Sequence, residues 1–94
     1  MKEQVKVGDI VLSIQGHDKG NYFVVTKTEG NMAFIADGRT RKYPSKKCKS
    51  IRHLKLVDVT VPNDIVTRIQ TGQPVGNEKL YKAIKSQTIK IQED

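Results

Sequence analysis

Short apolar runs separated by turn residues occupy the first two thirds of the chain. Residues 9–14, 22–27 and 32–36 are each about the length of a strand and are rich in β-branched or aromatic side chains, and none is long enough for a helix. Turn residues bound each run, and the pairs at 30–31 and 37–38, Gly-Asn and Asp-Gly, are typical of tight hairpins. The pattern predicts three consecutive antiparallel strands.

A strict alternation later in the chain predicts the closing strand or strands. Leu54 and Leu56 alternate with His53 and Lys55, so the apolar side chains would share one face of a strand and the polar ones the other. Four or five short antiparallel strands are too few for a large sandwich, but they can close into a small barrel, which removes exposed edges. We therefore predict a mainly β fold, with residues 1–61 forming a small SH3-like barrel of four to five antiparallel strands.

In the last third of the chain the apolar spacing becomes helical. Asn63 or Asp64 is a suitable N-cap for a first helix, and Gly72 stands where a C′ glycine would end it. A linker at 73–76 leads to Asn77, which can cap a second helix.

Both predicted helices have an apolar face. We therefore predict that residues 62–94 form a short helical C-terminal extension. Within it, we expect the segment from 89 onward to be either a strand or a frayed end. The apolar faces comprise Ile65, Val66 and Ile69 in the first helix and Leu80, Tyr81 and Ile84 in the second, with Lys79, Lys82 and Lys85 largely opposite.

Composition sets limits on the class of protein. The 94 residues suffice for one domain, and no apolar run approaches the ~18 residues that a membrane span requires. The first residues contain no apolar segment of a secretory signal. Cys48 is the only cysteine, which excludes an internal disulfide framework and a cysteine-rich zinc site. We expect a cytoplasmic protein that does not associate with membranes.

A strongly basic run occupies the middle of the chain. The formal net charge is +7, from 17 basic and 10 acidic residues, and eight of the basic residues lie between positions 39 and 55 with no acid among them. Mutual repulsion makes such a run unfavourable unless an anion neutralises it, so we expect it to bind a polyanion, most commonly RNA. Phosphate contacts of this kind do not distinguish RNA from DNA. The eight residues are Arg39, Arg41, Lys42, Lys46, Lys47, Lys49, Arg52 and Lys55.

Glycines divide the N-terminal third in a distinctive order. Gly8 precedes the first predicted strand, Gly16 closes it, Lys19 and Gly20 lie in the following loop, and an apolar run comes next. This layout, over roughly residues 7–33, resembles the KOW motif, a short signature of ribosomal proteins and transcription elongation factors.

The following residues extend this resemblance. Residues 35–42, the lysine-rich stretch and the pair His53-Leu54 are similar to a group of small bacterial KOW-domain proteins. That group is related to the KOW-type large-subunit ribosomal proteins of archaea and eukaryotes. The resemblance implies a barrel that binds RNA, ribosomal RNA in particular, in or near the ribosome. It does not extend to residues 62–94, which match no motif of the family.

Two segments carry the side chains best suited to RNA. The first is the loop from Gly16 to Gly20, which we call the glycine loop. Its two glycines can adopt positive φ, which lets the backbone approach a partner closely. In the basic run, Arg39 and Arg41 would point to one face of an extended segment, and Tyr43 would either stack on a base or pack under the loop at the barrel rim. The expected RNA-binding residues are Gly16, His17, Lys19, Gly20, Arg39, Arg41, Lys42, Tyr43, Lys46, Lys47, Lys49 and Arg52.

A second hypothesis is a protein-interaction barrel that docks on RNA polymerase or ribosomal proteins through the helical extension. Catalysis is not expected, because the chain has no P-loop, no nucleophile elbow and no carboxylate pair framed by other site residues. His17 and His53 have no partners at metal-ligand spacing, so we expect neither a metal nor a cofactor. The apolar contact of the second hypothesis would come from Ile65, Ile69, Leu80 and Ile84.

Overall fold

The structure is a computed structural model that describes residues 4–44 and 48–92. Five strands come first and two α-helices follow, with one turn of 3₁₀ helix before the last strand. The elements are β1 (Asp9–Ser13), β2 (Tyr22–Glu29), β3 (Met32–Ala36), β4 (Cys48–Ser50), the 3₁₀ helix (Ile51–His53), β5 (Leu54–Thr60), α1 (Asn63–Gln70) and α2 (Asn77–Gln92).

All five strands belong to one antiparallel sheet with the order β4-β3-β2-β1-β5. The mainly β prediction is confirmed, and so is the hairpin at Gly30 and Asn31, since Glu29 and Met32 pair directly on either side of it. β5 returns across the sheet to pair with β1, but within the described ranges no ladder joins β4 to β5, so the barrel is not closed by hydrogen bonds.

The first face of the sheet packs against the helices. Ile10 of β1 and Val24 of β2 lie in one buried cluster with Ile65 of α1 and Leu80 of α2. Because neighbouring residues of a strand point to opposite faces, these strands contribute alternate side chains to this cluster. The helices therefore complete a core that the sheet begins.

The second face of the sheet encloses a core formed by the strands themselves. Val11, Phe23, Ile35 and Leu54, from four different strands, form a second buried cluster to which neither α-helix contributes a described residue. Side chains of β3 and β5 can share a cluster in this way when a sheet curls around its own interior. Each of the first three strands is thus buried on both faces, which explains its nearly continuous apolar sequence.

The helical prediction is confirmed in its apolar faces and corrected at its boundaries. α1 begins at Asn63 with Pro62 in the N-cap position and has no side-chain cap, so neither Asn63 nor Asp64 is the cap. At its end, the N–H of Gly72 donates to Ile69 and that of Gln73 to Arg68, as in a Schellman motif, and Gly72 has a φ of +74°.

α2 is longer than predicted. It continues through Gln92, so residues 89–92 form neither a strand nor a separate end. Leu80 and Ile84 are buried and Tyr81 is half-buried, whereas the three lysines predicted to lie opposite are exposed. Ile51 to His53, expected within the alternating strand, instead form the 3₁₀ turn, and the strand begins at Leu54.

The helical extension has no apolar face left for a partner at the predicted positions. Ile65, Ile69, Leu80 and Ile84 are between 0% and 7% exposed and belong to the first core cluster. These four side chains are therefore covered by the rest of the fold, and docking of the extension on another protein stays a prediction.

Candidate nucleic-acid interface

An open concavity of about 1000 Å³ lies where the β1–β2 loop, the β3–β4 segment and β4 meet. We call it the basic concavity. Five of the predicted RNA-binding residues, Gly16, His17, Arg41, Lys42 and Lys49, line it, together with seven residues that the sequence did not single out for binding. These seven are Asp18, Asn21, Met32, Thr40, Cys48, Ser50 and His53.

Asp18 is the organising residue of this concavity. Its Oδ1 accepts hydrogen bonds from Lys49 Nζ at 2.5 Å and from Ser13 Oγ at 2.8 Å. Its Oδ2 accepts from the Nε and Nη2 of Arg41, at 3.2 and 3.0 Å. One carboxylate thus joins β1, the β1–β2 loop, the β3–β4 segment and β4.

The surroundings of Asp18 stabilise its ionised form. Partial burial raises the pKa of this carboxyl, but the hydrogen bonds from Lys49, Ser13 and Arg41 and the charge of Lys49 outweigh that effect and lower the pKa to about 2. The carboxylate is therefore ionised at every pH at which RNA would be bound.

The ammonium group of Lys49 is hydrogen-bonded to other residues of the protein. Its Nζ donates to the Gln15 carbonyl and to Asp18, each at 2.5 Å, and its side chain is only 13% exposed. Lys49 therefore holds β4 against the β1–β2 loop, and its direct contact with RNA stays a prediction. Arg41 is more accessible, at 28%, and its Nη1 has no acceptor within the described part of the chain.

The segment from Asp37 to Arg41 folds as a tight loop. The Asp37 carboxylate accepts from the N–H groups of Arg39 and Arg41, both at 2.9 Å, and from the Thr40 hydroxyl at 2.8 Å. The N–H groups of Asp37 and Gly38 donate to the Arg41 carbonyl. The segment is not extended, so Arg39 and Arg41 do not point to one face as predicted.

The two arginines diverge to different parts of the molecule. Arg41 reaches Asp18 in the basic concavity, whereas Arg39 Nη2 lies 3.3 Å from Glu78 Oε1 on α2. The guanidinium carbon of Arg39 is 3.9 Å from the centre of the Tyr81 ring. The basic run therefore receives carboxylates from distant segments, although it contains no acid of its own.

Tyr43 packs at the rim of the fold. It is half-buried against the first core cluster, and its backbone exchanges two hydrogen bonds with the Asn77 side chain. Its N–H donates to Asn77 Oδ1 at 2.7 Å, and its carbonyl accepts from Asn77 Nδ2 at 3.4 Å. Of the two roles predicted for Tyr43, the structure favours the packing role, and Asn77 clamps this segment to the start of α2.

The remaining predicted contacts lie outside the basic concavity or outside the described residues. Lys19 and Arg52 are exposed but do not line it, and neither does Gly20. Gly16 and Gly20 have the expected positive φ, +95° and +92°. Lys46 and Lys47 lie outside the described residues.

Other classes of site have no counterpart in the described residues. Within 4–44 and 48–92, no three His, Cys, Asp or Glu side chains are grouped closely enough to hold a metal ion. In the same ranges, neither helix has the length and apolarity of a membrane span.

A scan against protein-family models and a search of the curated proteins both gave no match. The function is therefore inferred from the sequence motifs and from the geometry of the basic concavity.

Proposed function

We propose that this is a non-enzymatic RNA-binding protein whose basic concavity binds the phosphate backbone of structured RNA. The observation that carries the proposal is the convergence of Arg41, Lys42 and Lys49 on one open surface beside the glycine loop at Gly16 and His17. Three cations against the single Asp18 carboxylate leave this surface with a formal net charge of +2. Release of the counterions condensed on RNA favours such contacts.

The charged residues of the basic concavity have different roles. Arg41 is held from one side by Asp18, so its guanidinium is oriented before RNA arrives and loses little freedom on binding. Lys42 is exposed, and no carboxylate of the described residues lies within 4.0 Å of it. We assign direct phosphate contacts to Arg41 and Lys42, with Lys49 and Asp18 as positioning residues.

The resemblance to KOW-domain proteins supports ribosomal RNA as the partner and the cytoplasm as the location. Docking on ribosomal proteins or RNA polymerase has less support, because the apolar side chains once expected to serve it are buried in the protein's own core. Recognition would depend mainly on RNA shape, since backbone contacts carry no base sequence.

Binding to ribosomal RNA during a salt titration tests this proposal. The informative variant is Lys42→Gln, and its matched control is Lys55→Gln, which removes another exposed lysine outside the basic concavity. We expect Lys42→Gln to weaken binding at low salt and to reduce the slope of log K against log salt by about 0.7 to 0.9, one phosphate contact. Lys55→Gln should change the slope by less.

Two results would contradict the proposal. One is RNA affinity that is weak at low salt or indifferent to salt in the unaltered protein. The other is an equal loss from both lysine variants, which would mean that overall charge, and not the basic concavity, governs binding.

A further inference from the structure

A stacked pair of side chains, Arg39 and Tyr81, lies beside α2 and outside the basic concavity. The 3.9 Å between the guanidinium carbon and the ring centre is short enough for the two planar groups to lie face to face. Tyr81 is half-buried, while the Arg39 side chain is 53% exposed. The guanidinium lies over the ring, and about half of the Arg39 side chain remains exposed to solvent.

Arg39 is held in place by its surroundings. Its N–H donates to Asp37 Oδ1 at 2.9 Å, and Glu78 Oε1 holds the edge of the guanidinium at 3.3 Å. The preceding Gly38 lies so close to α2 that an added Cβ would come within 2.1 Å of the Asn77 carbonyl oxygen. The stack therefore sits on a loop fixed to the helix, so that a ligand need not order it.

Further positive charge lies next to this stack. The Nζ of Lys85 is 5.8 Å from the centre of the same Tyr81 ring. Lys85 is exposed, and within the described ranges no carboxylate lies within 4.0 Å of it. An anionic group next to a ligand stacked on Arg39 would find a cation there.

We propose that the face of the Arg39 guanidinium away from Tyr81 receives an unpaired RNA base, with Lys85 contacting a neighbouring phosphate. A guanidinium plane stacks well on a nucleobase, and every base offers a π face. The inference rests on the proposed RNA binding and narrows the ligand to RNA that carries an unpaired base. RNA whose bases are all paired, or RNA that is bound through its backbone alone, would not contact this surface.

The position of Arg39 on its loop connects this surface with the basic concavity. Arg39 and Arg41 belong to the same tight loop but face different sites. An RNA strand whose phosphates contact Arg41 and Lys42 would pass around this loop to place a further nucleotide over Arg39. The two surfaces would bind one continuous stretch of RNA.

The test compares an oligoadenylate with an abasic ribose-phosphate oligomer of equal length and charge, at one salt concentration. The key variant is Arg39→Lys, which keeps the charge and removes the plane. Arg68→Lys, on the exposed side of α1, controls for the arginine-to-lysine change itself. Tyr81→Phe keeps the supporting ring, and a thermal melt of each variant checks its folding.

We expect the unaltered protein to bind the oligoadenylate roughly tenfold more tightly than the abasic oligomer. Arg39→Lys should reduce this ratio to about twofold without changing the salt slope, whereas Arg68→Lys and Tyr81→Phe should keep it.

Equal affinity of the unaltered protein for the two oligomers would overturn the stacking proposal and leave phosphate binding intact. A base preference that survives in Arg39→Lys would overturn it as well. If neither oligomer binds at low salt while structured ribosomal RNA does, the stacking proposal fails and the proposed RNA binding stands; if ribosomal RNA does not bind either, both fail.

Discussion

At the scale of single residues, Asp18 is the side chain on which the candidate interface depends. It is a single acidic residue in a glycine-rich loop, and nothing near it in the sequence suggests a partner. In the fold it accepts four hydrogen bonds from three side chains that come from different strands and loops. A lone carboxylate can do this because each of its oxygens accepts more than one donor.

Because of these contacts, Asp18 should make stability depend on pH. The pKa of its carboxyl is about 2 in the folded protein against an ordinary 3.8. The stabilisation is fully present above the ordinary value and is lost as the pH falls through 3.8 towards 2. This difference in pKa corresponds to a stabilisation of the folded protein on the order of 2 kcal/mol.

The measurement is the free energy of unfolding of the unaltered protein and of Asp18→Asn from pH 7 to pH 2. The gap between the two should be on the order of 2 kcal/mol at pH 7 and should shrink towards pH 2, where about half of the unaltered carboxyl is protonated. Asp64→Asn is the control: hydrogen bonding from Lys79 lowers the pKa of Asp64, but both side chains are exposed, so the pair should contribute little. A gap that stays constant with pH would contradict this account of Asp18.

At the scale of elements, the loop from Asp37 to Arg41 and the start of α2 behave as one unit. Gly38 touches the first turn of the helix, and Asn77 binds the backbone of Tyr43 from the other side. The sequence predicted Asn77 as a helix cap because asparagine commonly has that role. Instead, both the Oδ1 and the Nδ2 of the Asn77 side chain form hydrogen bonds with the backbone of Tyr43.

Gly38→Ala should separate this loop from the helix. A Cβ at Gly38 would collide with the Asn77 carbonyl, and its φ of +84° is unfavourable for alanine. We expect a loss of roughly 2–4 kcal/mol in the free energy of unfolding, measured by chemical denaturation.

Gly20→Ala is the matched control for that substitution. Gly20 also has a positive φ, +92°, but an added Cβ would meet nothing within 4 Å. It should cost only the backbone term of about 1–2 kcal/mol. Equal losses at Gly20 and Gly38 would show that backbone strain, and not contact with α2, accounts for the effect.

At the scale of the whole molecule, the strands and helices share the first core cluster and do not form two independent parts. The predicted boundary near residue 61 does mark the change from strands to helices, since β5 ends at Thr60 and α1 begins at Asn63. The first core cluster nevertheless takes side chains from both sides of that boundary. Removing the helices would expose one complete face of the sheet.

A fragment of residues 1–61 should therefore fail to fold. Deleting the rest removes Ile65, Ile69, Val75, Leu80 and Ile84 from the core. At about 2 kcal/mol for each buried side chain, the loss is roughly 10 kcal/mol, comparable with the whole stability of a domain. We expect a poorly dispersed amide NMR spectrum, whereas a well-dispersed one would show that the second core cluster is sufficient by itself.

The sequence by itself determined most of the elements. Strand, turn and helix patterns are local, so the first three strands, the hairpin at Gly30 and the end of α1 at Gly72 could be predicted from residues a few positions apart. The concentration of positive charge between positions 39 and 55 was equally visible. So were the glycines that later proved to have positive φ.

Only the tertiary structure decided which cations face outward and which are paired. Asp18 lies 23 residues from Arg41 and 31 from Lys49, and Glu78 lies 39 from Arg39. No local pattern indicates pairs at such separations, because strand pairing and helix docking bring them together. The physical reason is that hydrophobic burial sets the path of the backbone, and the charged side chains then find whichever opposite charges that path places beside them.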